Sequence, residues 1–270
     1  MAEHPDPADP DTLTQHSVWH QGDFTLISSD NVVFKAPSRI LLCVSDVLSD
    51  AAETSTGDKC VHFADPDIET SEVIERFLEF ACQSDLKPEA KGNLDYCTDI
   101  GRFIAFLHKY ECPRLLSYLE LAVLKLLTRG VITVMDAFAI GSAADAPFLC
   151  VSALERGVYE LKNDLHPPLV FGKMRPGRLL GSLSDGCPLD PATMSLAAGR
   201  ITQSQHLWAL NRVWSLCHDI PQTDEPQTDD EGYQCRPEAT RLLQTIPEAF
   251  SLLLGTMVSA SRSAGSSSTT

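Results

Sequence analysis

Apolar and polar positions follow two different periods along this chain, and the clearest switch lies near its start. Phe24 and Leu26 alternate with polar neighbours, and Ile27 follows. Ser28-Ser29-Asp30-Asn31 is a run of turn formers, and Val32, Val33 and Phe34 come next before Pro37 stops the strand. Two short β-rich runs around such a tetrapeptide predict a β-hairpin. From 38 to 49 the period becomes helical. Ile40, Leu41, Val44, Val47 and Leu48 recur on one face, and Ser38, after Pro37, can cap one continuous helix.

Beyond Val131 the pattern is wholly helical. Met135, Phe138, Ala139 and Ser142 share a face. Pro147 opens a longer helix with Phe148, Val151, Leu154, Val158 and Leu161 along one side, and Pro167-Pro168 breaks it. Another helix is expected from Leu189-Asp190-Pro191 through Ala198. Residues 204–217 repeat Leu207, Leu210, Trp214 and Cys217 at helical spacing, with Trp208 off that face. Residues 219–236, rich in acids and prolines, read as a solvated linker. A last helix over 237–258 carries Leu242, Leu243, Ile246, Phe250, Leu253 and Leu254, and the Ser/Thr-rich tail 259–270 is expected to be disordered. So are residues 1–17, where Pro5, Pro7 and Pro10 stand among acids.

The first half resembles a known family. Asp23, Phe34-Lys35-Ala36, Arg39, Ile40-Leu41-Leu42, Ser45 and Val47-Leu48 look like the start of a BTB/POZ domain, most similar to divergent BTB proteins of fungi. The resemblance runs over 18–127. It implies a third strand at 59–63, a helix at 73–81 and paired closing helices at 104–127, with Leu107-His108-Lys109-Tyr110 in the place of an Ala-Asp-Lys-Tyr type element. Polar stretches at 51–58 and 85–95 form the connections. Two positions depart from the family pattern: Pro37 stands where a His is usual, and Cys82-Gln83-Ser84 replaces an aromatic-Thr-Gly turn. The expected fold is therefore α+β, a BTB/POZ-like small sheet flanked by helices, followed over 128–218 by an all-α extension that resembles a BACK-like region in architecture only.

The resemblance also implies function. Such domains act as protein–protein interaction adaptors, through a self-association face and, in many members, a surface that engages a cullin scaffold of a ubiquitin ligase. In that family an Asp at the position of Asp23 and a base at that of Arg39 lie near a partner or dimer groove. The plain alternative is an ordinary ion pair at the hairpin–helix junction, worth little if exposed. Leu48-Ser49-Asp50 can stand in for the apolar-x-acid element of cullin-binding members, so Leu48 and Asp50 are candidate cullin contacts. The alternative function is a self-associating scaffold with no ligase role.

Composition narrows the partners. Among 270 residues, 37 acidic against 21 basic side chains give a net charge of −16, which disfavours nucleic-acid backbones and anionic membrane surfaces. The N-terminus is acidic where a signal peptide would be basic and then apolar, and no apolar run approaches a membrane span. With nine scattered cysteines and no Cys-x-x-Cys, a reducing compartment (cytoplasm, nucleus or both) is expected, most thiols being small core residues.

Candidate chemistry is thin. His16 with His20, or His108 with Cys112, has metal-ligand spacing, but the first pair lies at the margin of the stretch expected to be disordered and the second lacks further ligands nearby, so no metal or cofactor is expected. Residues 181–186 contain no nucleophile elbow. Residues 172–177 have the outer glycines of a phosphate loop, with Pro176 removing a cradling N–H and Arg178 in the wrong place. Cys112, near Lys109 and Arg114, could have an activated thiol, though packing is its plainer role. Nothing assembles an acid, a base and a nucleophile, and no enzyme activity is expected.

Overall fold

The computed structural model describes residues 13–54, 59–86, 94–165, 191, 194–218 and 249–253. The chain divides into two compact units, residues 1–122 and 123–270. Its class is α+β, with a small four-stranded sheet flanked by helices.

The expected hairpin forms as β2 (Phe24–Ile27) and β3 (Val32–Ala36), antiparallel, with Leu26 opposite Phe34. Phe24, Leu26, Phe34 and Ala36 are all buried, as alternation demands of a one-sided sheet. The turn holds Asn31 at φ 63, a left-handed conformation that asparagine tolerates well. β4 (Cys60–His62) runs parallel to β2 inside the 59–63 segment expected to be a strand. A fourth strand was not expected: β1 (Thr14–His20) pairs parallel to β3 at the sheet edge, in the order β1-β3-β2-β4. Residues 14–17 are therefore ordered strand, where composition alone pointed to disorder. A polar strand shows no alternation to read, because its order comes from partners elsewhere in the chain.

The single helix expected over 38–49 is two, α1 (Ser38–Val44) and α2 (Asp46–Thr54). Ser45 between them is extended, at φ −134 and ψ 121. Its buried hydroxyl accepts the N–H of Leu48 at 3.1 Å and donates to the carbonyl of Tyr110 at 2.6 Å. A serine bonding its local backbone competes with helix continuation, which is why the apolar spacing ran straight across a break. α3 (Ser71–Gln83) and α5 (Pro113–Thr128) lie close to the expected places, whereas α4 (Leu94–Lys109) begins well before 104, inside the end of the stretch 85–95 read as a connection. The first core is an aromatic cluster in which Phe106 meets Phe63, Phe77 and Tyr110, with Phe80 edge-on to Phe103.

In the second unit, α6 (Val134–Ala143) is buried along nearly its whole length and opens with a reciprocal capping box between Thr133 and Asp136. α7 (Pro147–Leu165) begins at the proline as expected. Leu154 of the expected face is buried, together with Leu149, Cys150 and Ala153, and Val151 is half-buried, but Phe148 is 66% exposed, so Leu149 takes the buried place read for Phe148. α8 (Leu196–Ile201) is shorter and later than expected: Ser195, whose side chain accepts the Ala198 N–H, starts it. α9 (Ser204–His218) matches its expectation, with Leu210 buried and Trp208 exposed. Of the last expected helix, residues 249–253 are helical. The remainder of that helix, the linker, the tail, the break at Pro167-Pro168 and the loops at 172–177 and 181–186 lie outside the described residues.

Candidate interaction surface

Asp23 and Arg39 are both at the hairpin–helix junction, but they are not a pair. The Asp23 carboxylate accepts the backbone N–H of Ser38 at 2.8 Å and its hydroxyl at 2.6 Å. These bonds, the side-chain one foremost, hold the carboxyl below its usual range, and Lys59 adds a smaller attraction. Arg39 points into solvent. Ser38 is thus the first helical residue and not the cap. Pro37 occupies the cap position without a side-chain bond, and Asp23 covers the exposed amide from outside the helix.

The same device recurs at α3. Thr70 makes no side-chain cap, and the Asp30 carboxylate in the hairpin turn accepts the Ser71 N–H at 2.8 Å and the Ser71 hydroxyl at 2.5 Å. One aspartate before the hairpin and one in its turn therefore each hold a helix N-terminus. Each is placed where a carboxylate meets both free amides and the positive end of the helix dipole. Sequence reading found Asp23, but of its two readings the ion pair with Arg39 does not form.

A denser knot joins the β4–α3 connection to the end of α4. Glu69 is 2% exposed. One carboxylate oxygen accepts the N–H groups of Ala64 and Asp65 at 2.7 Å each. The other meets Lys109 Nζ at 2.7 Å and the Tyr110 hydroxyl at 2.5 Å. Burial opposes ionisation of Glu69, yet the Lys109, Tyr110 and amide bonds together outweigh it and keep its pKa below the ordinary value. Tyr110 is pushed in the opposite direction, mainly by burial and then by its bond to Glu69. Lys109 and Tyr110 are the last two residues of the Leu107-His108-Lys109-Tyr110 element, so this motif ties α4 to the sheet side of the unit.

The candidate cullin element divides. Leu48 is 1% exposed and packs inward from α2, and Asp50 is exposed on the same helix. Leu48 cannot offer an apolar contact while the helix stays folded. Edge strand β1 presents more surface. Val18 is 67% exposed, and every position of the strand except His16 and Trp19 is exposed. His16 anchors it. Between the pairs Gln15–Val33 and His20–Lys35 the register shifts, and the His16 ring stacks on Phe34 at 4.6 Å. Its Nδ1 accepts the amides of Trp19 and Val18, and Nε2 lies 3.4 Å from Glu75. Both ring nitrogens are engaged, so the His16–His20 spacing marks a strand anchor.

Cys112 is fully buried, and its thiol pKa is pushed up to about 12 by that burial, the reverse of activation. Of the free cysteines, Cys97 and Cys150 are buried with it, while Cys43, Cys60 and Cys82 are exposed, so the expectation of core thiols holds for part of the set. A serine hydroxyl does meet an imidazole in the second unit, Ser142 Oγ to His206 Nδ1 at 2.8 Å. Both residues are sealed from solvent, at 0% and 2% exposure, and Oγ already accepts the Gln203 N–H, so the pair is not placed as a nucleophile and base open to a substrate. No helix among the described residues is long and apolar enough to cross a membrane. No family model matches the chain, and comparison with curated proteins and with solved structures returns no significant match.

Proposed function

We propose that this chain is a protein-interaction adaptor of BTB/POZ type, from a divergent branch of that family. One observation carries the reading: the residues of the family-like pattern occupy the joints of the first unit. Asp23 holds α1, Ser45 divides α1 from α2 and bonds the end of α4, and Lys109 and Tyr110 clasp Glu69. The succession of antiparallel hairpin, two short helices, a strand parallel to the first hairpin strand and closing helices agrees with it. The functional surface is then a protein-binding one, linking a partner to a cullin-type ubiquitin ligase.

A specific observation favours the second reading, a self-associating scaffold with no ligase role. Leu48 is buried, and β1 is an exposed strand at the edge of the sheet. Calorimetry of the full chain against the N-terminal region of a cullin from the same organism separates the two. Saturable submicromolar binding supports the adaptor. A folded chain that gives no heat, with a mass above the monomer by light scattering, supports the scaffold.

A further inference from the structure

One hydroxyl joins separate elements of the second unit. Ser142 on α6 accepts the Gln203 N–H, from the α8–α9 connection, at 2.8 Å and shares a 2.8 Å bond with His206 in the first turn of α9. The His206 ring lies 6.2 Å from Phe250, whose ring meets Phe138 of α6 edge-on at 5.3 Å. Residues 142, 206 and 250 are all buried. We propose that His206 is an acid-released latch: taking up a proton frees the α8–α9 corner and the Phe250 stretch from α6 and opens the core of this unit.

The geometry makes the neutral ring the fitting form. With the Gln203 N–H already donated to Oγ, the Ser142–His206 bond is made when the Ser142 hydroxyl donates to Nδ1 and the ring hydrogen sits on Nε2. An imidazolium must donate from Nδ1, which turns the hydroxyl hydrogen away to find another acceptor. It also places a cation out of water, at the positive end of a helix. Asp145, exposed just past the end of α6, attracts that cation, but burial outweighs it and holds the His206 pKa below 6.5. Of the other charges on the described elements, Asp136 of α6 is engaged with Thr133, and Arg200 of α8, Arg212 of α9 and Glu155 of α7 are exposed. Arg156 of α7 is half-buried.

The direction follows from linkage. An unfolded or released chain binds the proton near 6.5 and the closed unit binds it only at lower pH. The latch is therefore complete above 6.5 and weakens as pH falls from there toward the folded value. Hydrogen exchange of the full chain, corrected for intrinsic rates, tests this between pH 7.5 and 5. Protection of residues 196–218 should fall by up to about tenfold per pH unit, while residues 24–36 hold theirs. In H206Q the extra pH dependence should vanish; a profile parallel to wild type overturns the proposal. Should H206Q not fold, histidine ring NMR on the wild-type chain decides. Ring protonation coincident with loss of protection supports the latch, and a charged ring in a fully protected unit refutes it.

Discussion

Glu69 concentrates more of the first unit's polar bonding than any residue its sequence context would single out. It is nearly inaccessible and ionised, and it is held by two amides, an ammonium and a phenol. Replacing it with Gln removes the charge that these donors converge on, and E69Q should lose about 2–3 kcal/mol in chemical denaturation. Because the folded state lowers the Glu69 pKa, its contribution is complete above the ordinary value of 4.5 and is lost as pH falls below that. The wild-type chain should therefore lose stability on acidification through this range more steeply than E69Q, in melts recorded from pH 6 to 3. Two backbone positions carry further expectations. A Cβ on Gly22 would lie 2.3 Å from the carbonyl carbon of Ala36, so G22A should cost about 2–3 kcal/mol through forced displacement of β3. Ser84 closes α3 at φ 51, a left-handed conformation that glycine adopts without strain, so S84G should raise stability by about 0.5–1 kcal/mol.

The two helix starts held by Asp23 and Asp30 make a sharper test of the junction. If Asp23 serves α1 through Ser38, D23A and S38A should each lower the melting temperature, with a non-additive double variant. R39E should leave both melting temperature and mass unchanged, because Arg39 is exposed and the carboxylate is already engaged. A fall with R39E equal to that of D23A would restore the ion-pair reading. Apolar spacing placed α7 and α9, whereas α3, the end of α4 and α5 were expected from the family resemblance. The spacing misled where a bond and not a period sets the boundary. Ser45 breaks the first helix by bonding Leu48 and Tyr110, and Ser195 starts α8 well after the Pro191 that seemed to open it. α6 shows a different limit. It is apolar almost all round, so its sequence marks it as buried without saying against what.

Two compact units, one holding Glu69 and Gly22 and the other Gly141 and His206, predict independent energetics. A Cβ at Gly141 would come within 3.0 Å of Leu149 Cγ and 3.1 Å of the Cys150 amide nitrogen, so G141A should destabilise the α6–α7 contact. Combined with E69Q, its effect should add to within about 0.5 kcal/mol, since the two sites share no partner; a larger coupling would mean the units act as one. The net charge of −16 belongs to the whole chain and disfavours binding to polyanions.

What could be read from the residues alone was whatever depends on local periodicity, turn chemistry and charge: the hairpin, α7, α9 and the acidic balance. What needed the folded chain was every bond between residues distant in sequence. Asp23 found Ser38 and not Arg39, Asp30 found Ser71, and Glu69 gathered Lys109 and Tyr110. The polar residues 14–20 became a strand because β3 lay beside them and Phe34 lay beneath His16. The physical reason is common to all of these. Hydrophobic periodicity is set by each element's own geometry, whereas a carboxylate or an edge amide is satisfied by whichever donor or acceptor the tertiary fold brings within 3 Å.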